Sequence, residues 1–139
     1  MRRGAEGARR NPADVSVSLL IPTFVHDDLP IARQAAREFL VHYAGMPQYA
    51  KAFEVSGFAG EMQGVRKGLA ASDASAAMSA LSDRLLDEVL LVGPPARCRE
   101  QLGAFREAGV EWATLGPQRV GEQDLLHQAR LVASELAPG

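Results

Sequence analysis

A strand–helix–strand pattern is the clearest arrangement of apolar and polar positions in the chain. Residues 89–92 are wholly apolar, as expected of a short strand buried on both faces. A Gly-Pro-Pro turn at 93–95 precedes apolar residues with helical spacing over 98–105, and Gly109 ends that segment. A second apolar run follows at 110–115. The short crossover predicts two parallel strands with the helix packed across one face.

A further strand is predicted near the amino terminus. Residues 15–25 begin by alternating apolar residues with serines and continue as an apolar run. This pattern is typical of a strand that becomes buried on both faces. Because Pro22 cannot donate a ladder hydrogen bond, we expect the regular strand to lie mostly within 15–21. Pro22 would then mark the end of the strand, a bulge or a sheet edge.

The segments between and after these strands have helical patterns. Asp27 or Asp28 as N-cap, with Pro30 in the first turn, predicts a helix that ends at Gly45. The order of strands and helices predicts an α/β fold with parallel strands. The other predicted segments are a short helix at 47–57, a helix–loop mixture at 58–71, one or two turns at 75–81, a helix at 82–88 and a final helix at 122–136.

Composition narrows the class of protein. The 139 residues suggest one domain, and the apolar and charged fractions of 47% and 23% are those of an ordinary globular protein. The net charge is −2, and we interpret the basic residues of 2–10 as a solvated terminus, not a nucleic-acid arm. No window approaches about 18 uninterrupted apolar residues, so we expect no membrane partner. The single cysteine excludes an internal disulfide and favours a reducing cytoplasm.

Few residues suggest chemistry by spacing alone. His26, His42 and His127 do not have the spacing of metal ligands, so no metal site is expected. His26 follows a strand and is either an acid–base group or a plain loop histidine. Cys98 lies on the buried stripe of its helix and is interpreted as core. The sequence Gly-Val-Arg-Lys-Gly at 64–68 lacks the spacing and the preceding strand of a phosphate loop. No catalytic residue is assigned.

Three segments carry motifs that together resemble one family. Residues 8–15 are similar to an Ala-Gly-Arg-Asp-Pro run, with departures at the Gly and Asp positions. Residues 43–58 carry a Tyr…Pro-x-Tyr…Phe…Gly-Phe pattern. Residues 82–95 and 108–111 are similar to a Val-Gly-Thr/Ser-Pro…Ala-Gly-Val-Asp signature, with Pro94 where Thr or Ser is usual. The chain therefore resembles the luciferase-like monooxygenases, a superfamily of flavin- or deazaflavin-dependent oxidoreductases built on a TIM barrel.

The resemblance implies a fold, a cofactor and an activity. It implies the carboxy-terminal part of a TIM (β/α)8 barrel, with 15–25, 89–92 and 110–115 as about strands 6 to 8. The segment 28–88 would be a helical insertion within a single partial barrel domain, 1–139. A complete barrel needs about 250 residues, so the chain would be truncated. The implied function is that of a partial flavin- or deazaflavin-dependent oxidoreductase or monooxygenase that uses flavin mononucleotide (FMN) or coenzyme F420 on a small organic substrate. The alternative is a non-catalytic α/β barrel fragment that oligomerises or complements another chain.

Barrel geometry suggests site residues, because chemistry lies at the carboxyl ends of barrel strands. Arg119 is the best anion partner, although a solvated loop arginine remains the alternative. Gly116 either allows a close approach to a ligand or serves a turn, and the aromatic residues either wall a pocket or join the insertion helices. The cofactor-binding candidates are Gly116, Pro117, Gln118 and Arg119. The substrate-pocket candidates are Phe24, His26, Tyr43 and Tyr49.

The strands of a partial barrel would leave open edges. The strand at 15–21 would lack its fifth-strand neighbour, and the strand at 110–115 would lack its first-strand neighbour. We therefore expect a homo-oligomer. Trp112, on the second of these strands, is expected to be a packing residue.

Overall fold

A computed structural model describes residue 11 and residues 16–137. The motif at 8–15 and the basic residues near the amino terminus therefore lie almost wholly outside the described residues. The strands are β1 (Ser18–Val25), β2 (Leu91–Gly93) and β3 (Trp112–Pro117). The helices are α1 (Leu29–Ala44), α2 (Pro47–Phe53), a π-helical turn (Glu54–Phe58), α3 (Ala59–Ala70), α4 (Ala74–Ser79), α5 (Asp83–Val89), α6 (Pro95–Glu107) and α7 (Leu125–Glu135).

The three strands form one parallel sheet in the order β2-β1-β3. The predicted α/β fold with parallel strands is confirmed. The strand order corrects one expectation, because β1 lies in the centre of the sheet and pairs on both sides. Its predicted open edge is therefore wrong. Consecutive barrel strands would instead place β2 in the centre, but α6 carries the chain past β1 to its far side.

Helices cover both faces of this sheet. Successive strand side chains point to opposite faces, so Phe24 and Ile21 belong to different cores. Phe24 packs in the core formed with α1, α3 and α5, whereas Ile21 and Val25 pack with Cys98 of α6 and Val132 of α7. With right-handed crossovers, a reversal of strand order places successive helices on opposite faces. The sheet of this chain is thus doubly wound, whereas a closed barrel carries all of its helices outside.

Pro22 lies inside the central strand, which corrects the prediction that the regular strand ends before it. The N–H of Gln118 donates to Thr23 O (2.9 Å), and the N–H of His26 donates to Gly93 O (3.0 Å). Odd-numbered residues of β1 therefore present their backbone groups to β3, and even-numbered residues present theirs to β2. The missing N–H of Pro22 would point to the β2 side at a level before the paired part of β2 begins. No ladder hydrogen bond is lost there, so the strand continues.

Beyond the end of β3, a side chain supplies the hydrogen bonds that β1 needs on its β3 side. The pairing of β1 with β3 stops at Thr23, so the backbone groups of Val25 have no strand partner on that side. Gln128 of α7, fully buried, takes this place. Its Oε1 accepts from the Val25 N–H (3.1 Å), and its Nε2 donates to Val25 O (2.7 Å) and to Gln123 Oε1 (2.7 Å). Sequence patterning did not single out Gln128.

Two predicted helix starts are confirmed by their caps. Asp28 accepts from the N–H of Ile31 (3.2 Å), and Ser82 accepts from the N–H of Leu85 (3.2 Å). Gly109 follows α6 with a φ of 99°, the left-handed conformation expected of a glycine that ends a helix. These signals lie within a few residues of the structure that they specify.

The predicted helix–loop mixture at 58–71 is wrong, because α3 is continuous from Ala59 to Ala70. Two glycines of α3, Gly64 and Gly68, lie against α4. A Cβ on Gly64 would lie 2.6 Å from Ala80 Cβ, and one on Gly68 would lie 2.5 Å from Ala77 N. These glycines therefore allow two helices to approach closely.

Strand boundaries are shifted towards the carboxyl end. β2 begins at Leu91 and β3 at Trp112, each two residues later than predicted. Gly116 and Pro117, predicted as loop, are the last residues of β3. α5 runs through Val89 and takes the first residue of the predicted strand.

Candidate functional site

An open groove of about 590 Å³ lies on the α1 side of the sheet, and we call it the aromatic groove. On this side the helices pack on β1 and β2, and Leu20 of β1 remains 65% exposed. The volume lies in the range of about 300–1,000 Å³ that is usual for small-molecule sites. All of its lining residues are uncharged: Leu19, Leu20, Pro22, Phe39, Leu40, Tyr43, Tyr49, Phe53, Val89, Leu90, Gly116 and Gln118.

A series of aromatic rings leads from the core to this groove. The ring centroids of Phe24 and Phe39 are 5.5 Å apart, and those of Phe39 and Tyr43 are 4.9 Å apart. Tyr43 meets Tyr49 of α2 edge to face, with centroids 5.2 Å apart. Such geometries are favourable for aromatic pairs and restrict the movement of the rings. The wall of the groove is therefore held in place before any ligand binds.

The structure brings together two of the four substrate-pocket candidates. Tyr43 and Tyr49 line the aromatic groove. Phe24 lies in the core, 1% exposed, where it supports Phe39 from behind. His26 follows β1 outside the groove lining, and its Nδ1 accepts from the N–H of Asp28 (2.9 Å).

Two of the four cofactor-binding candidates line the aromatic groove, and two lie outside it. Gly116 and Gln118 line the aromatic groove, and Gln118 Nε2 donates to Gly116 O (3.2 Å). Pro117 lines a different groove, between β3, α6 and α7. Arg119 is exposed and makes no ion pair with any described residue. Residues from the two predicted sets thus meet in one groove.

A polar cluster that sequence reasoning missed joins α1, α5 and α6 beside β2. Asp87 accepts from Arg97 Nη2 (2.6 Å), Arg33 Nη2 (3.4 Å) and Gln101 Nε2 (3.3 Å). Gln101 in turn accepts from the N–H of Val92 (3.0 Å). The cluster fixes α1 and α6, which lie on opposite faces of the sheet, to the same strand.

Neighbouring charges extend this cluster along α1 and α5. Asp83 pairs with Arg33 (2.8 Å) and with Arg37. Asp83 and Asp87 lie four residues apart, as do Arg33 and Arg37, so each pair shares one side of its helix. That spacing is the signal from which the cluster could have been predicted.

Cys98 is a core residue, as predicted. Its thiol is buried and lies 3.4 Å from Gly93 O. Burial raises the pKa of the Cys98 thiol from 9.0 to about 12, against the opposing effect of the charges on Arg97 and Arg99. The thiolate is the reactive form, so the native thiol is chemically quiet.

We expect Cys98 to be unreactive towards a disulfide reagent in the native protein. The raised pKa lowers the thiolate fraction by roughly a thousandfold at mildly alkaline pH, and burial blocks access. Absorbance at the wavelength of the released thiolate measures the reaction, with the denatured protein as the control that reacts in full. Because only the folded pKa is raised, stability should also decline as the pH rises above 9.0 towards 12. Rapid reaction of the native protein would contradict this prediction.

Among residue 11 and residues 16–137, no group of three or more His, Cys, Asp or Glu side chains is placed to hold a metal ion. No helix in the same part of the chain combines the length and apolar character required to span a bilayer.

Comparison with known proteins adds the family. Residues 1–111 match the luciferase-like monooxygenase family. The chain belongs to that family. The resemblance inferred from the three sequence motifs is therefore confirmed. Comparison with curated proteins gave no match.

A solved structure supports the fold of this luciferase-like protein. The coenzyme F420-dependent tetrahydromethanopterin reductase from Methanopyrus kandleri matches with a TM-score of 0.70 and 18% sequence identity. The match covers 96% of this chain and 38% of the reductase chain. The α/β fold, with its small parallel sheet, is thus similar to part of a luciferase-like barrel protein.

Proposed function

We propose that this protein acts as part of a flavin- or deazaflavin-dependent oxidoreductase, and that its aromatic groove binds the ring system of the cofactor. Membership of the luciferase-like monooxygenase family supports this class of chemistry. The observation that carries the proposal is the convergence of Tyr43, Tyr49, Gly116 and Gln118 on one groove. These residues come from α1, α2, β3 and the loop after β3.

The groove suits a planar, largely apolar ring. Tyr49 offers an aromatic ring and is 42% exposed. Gly116 of β3 has no side chain, so it leaves space for a ligand in the groove. Gln118 supplies an amide that can orient the polar edge of a ring. The bound cofactor would supply hydride transfer or oxygen activation, whereas the residues of this chain would bind and orient it.

A cofactor phosphate requires a second contact. The groove lining carries no charge, so a phosphate would lie outside it. Arg119 directly follows Gln118, is exposed and makes no ion pair with a described residue. A guanidinium can hold a phosphate by paired, charge-assisted hydrogen bonds. We therefore assign the phosphate of FMN to Arg119 and the ring to the groove.

The extent of the barrel belongs to the same proposal. The chain spans 38% of the reductase that it matches. We propose that 1–139 is one partial barrel domain with the insertion at 28–88, that its strands correspond to about strands 6 to 8, and that it acts on a small organic substrate in the cytoplasm. Because the open sheet of this chain has the order β2-β1-β3, the consecutive order of barrel strands would require β3 to leave its present position beside β1.

A second candidate function is that of a non-catalytic fragment that oligomerises or complements another chain. The outer edges of β2 and β3 favour it, because among the described residues each of these strands pairs only with β1. Unpaired strand edges are ready sites for pairing with another polypeptide. Cofactor binding separates the two candidates.

Riboflavin and FMN form a matched pair of ligands for this test, because they differ only in the phosphate. We expect both to bind, and we expect Tyr49→Ala to weaken both by roughly fivefold, since an aromatic contact contributes about 1 kcal/mol. Arg119→Gln should weaken FMN alone. Quenching of flavin fluorescence measures both affinities, and a parallel titration with coenzyme F420 tests the deazaflavin.

The control for these titrations is Leu126→Ala. Leu126 is 60% exposed on α7, a helix on the opposite side of the sheet, so its truncation should leave every affinity unchanged. If riboflavin, FMN and coenzyme F420 all fail to bind, the oxidoreductase proposal for this chain is wrong. Equal losses of FMN affinity in Leu126→Ala and Tyr49→Ala would reject the aromatic groove as the site.

A further inference from the structure

Gln118 contributes an amide to the aromatic groove, and its surroundings fix that amide in one orientation. The backbone N–H of Gln118 donates to Thr23 O (2.9 Å), so the residue is held against β1. The side-chain Nε2 donates to Gly116 O (3.2 Å). The reverse orientation would place Oε1 against Gly116 O, and two acceptors cannot form a hydrogen bond. Oε1 is therefore the atom of this amide that is left for a ligand.

The hydrogen-bonding capacity of this amide is only partly used. Within the part of the chain that the structure describes, no group donates to Gln118 Oε1. Nε2 carries two N–H groups, and one of them donates to Gly116 O. The half-buried amide thus retains one acceptor and one donor side by side. A ligand that covers it must supply a donor and an acceptor, because a polar group that loses water without gaining a partner weakens binding.

The rest of the groove restricts the ligand to a neutral group. All of the lining residues are uncharged, and Leu20 exposes 65% of its surface there. A charged ring edge would lose its hydration without meeting an opposite charge. A neutral cyclic imide meets both requirements, because its N–H lies directly beside a carbonyl oxygen. Glutamine pairs in the same two-point manner with a donor and an acceptor on the edge of adenine.

We infer that Gln118 recognises the imide edge of the cofactor ring, with Oε1 accepting from the ring N3–H and Nε2 donating to a neighbouring ring carbonyl. This inference rests on the proposed binding of a flavin-type ring in the aromatic groove. It adds the orientation of the ring, whose imide edge lies at the loop after β3. Flavins and deazaflavins share this edge, so the contact selects the class of ring and does not distinguish the two cofactors.

The experiment compares riboflavin with 3-methylriboflavin, which lacks the N3–H. The wild-type chain should bind riboflavin more tightly by roughly fivefold to tenfold, because the methylated ring leaves Oε1 without a donor. Gln118→Met has a side chain of similar length without an amide. This variant should bind riboflavin only as tightly as it binds 3-methylriboflavin. Quenching of flavin fluorescence measures all four affinities, and their double-mutant cycle separates the hydrogen bond from the bulk of the methyl group.

Trp112 provides a control on the same strand as Gly116. It is 68% exposed, so the prediction that it is a packing residue is wrong. Its side chain lines the groove between β3, α6 and α7 and not the aromatic groove. Trp112→Phe should therefore keep the wild-type preference for riboflavin. Circular dichroism checks the fold of each variant, and Gln118→Ala replaces Gln118→Met if methionine disturbs the end of the strand.

The possible results separate this inference from the proposed function. If neither riboflavin nor 3-methylriboflavin binds the wild-type chain, the proposed function fails and this inference fails with it. If both bind equally, the ring binds without the N3–H contact, and only this inference is overturned. A preference for riboflavin that persists without the Gln118 amide would assign the N3–H to another acceptor and would likewise overturn it. Equal losses for both ligands in the Gln118 variant would show a purely structural role and would also overturn it.

Discussion

Replacing Gln128 with leucine is expected to lower the free energy of unfolding by about 3 kcal/mol, because it leaves buried backbone groups of Val25 without partners. Gln128 is 0% exposed, and its amide serves both the N–H and the C=O of Val25. Leucine has a similar volume, so the loss reports mainly on hydrogen bonding. Urea unfolding followed by circular dichroism measures the change.

Gln34→Leu is the matched control for this substitution. Gln34 is exposed on α1, and among residues 16–137 its side chain bonds only to Glu38 (2.9 Å), so the change should stay within about 0.5 kcal/mol. Equal effects of Gln128→Leu and Gln34→Leu would show that the Val25 bonds contribute little.

Gln128→Glu tests the direction of the hydrogen bonds. A carboxylate can accept from the Val25 N–H but cannot donate to Val25 O, so the variant should be unstable at neutral pH. Burial beside a carbonyl oxygen favours the protonated acid and would raise its folded pKa. A group whose pKa is higher in the folded state makes the protein less stable as the pH rises. The loss of unfolding free energy in Gln128→Glu, relative to the wild type, should therefore be smaller in acid. A deficit that does not change with pH would contradict this account.

Gly68→Ala is expected to destabilise the protein by about 1–3 kcal/mol, because the added methyl group has no space. A Cβ on Gly68 would lie 2.5 Å from Ala77 N and 2.7 Å from Ala77 Cα. These are backbone atoms of α4, so relief requires the two helices to separate. Thermal or urea unfolding measures the loss.

The same helix contains a control for this prediction. A Cβ on Gly60 of α3 would meet nothing within 4 Å. Gly60→Ala should therefore stabilise the protein by about 0.5–1 kcal/mol, since alanine loses less backbone entropy in a helix. Gly103 in α6 has the same open surroundings and gives a second control. Effects of the same sign at Gly60 and Gly68 would show that the contact with α4 is not decisive.

Much of the local structure could be predicted because its causes are local. The caps at Asp28 and Ser82 each depend on a donor three residues away. Cys98 followed from helical spacing, and the family followed from motifs in consecutive segments. For the caps and for Cys98, the residues that decide the local structure are near neighbours in the chain, and each family motif is a short local segment.

The candidate site was predicted only in part. Tyr43, Tyr49, Gly116 and Gln118 were selected from two separate arguments, and only the packing of α1 and α2 over the sheet brings them into one groove. Whether a strand residue is buried depends on which helices pack on the face to which it points. Residue spacing in the sequence does not specify how the helices pack, so the burial of Phe24 was not predicted.

The sequence by itself determined that this protein is α/β, that its strands are parallel, where most helices begin, and which family it resembles. The tertiary structure alone decided the strand order, the passage of β1 through Pro22 and the role of Gln128. The physical reason is distance along the chain. Gln128 supplies hydrogen-bond partners to the backbone of Val25, which is 103 residues away in the chain. The hydrogen-bond ladder beside Pro22 depends on where β2 begins. Such features depend on which elements become neighbours, and only the folded chain specifies that.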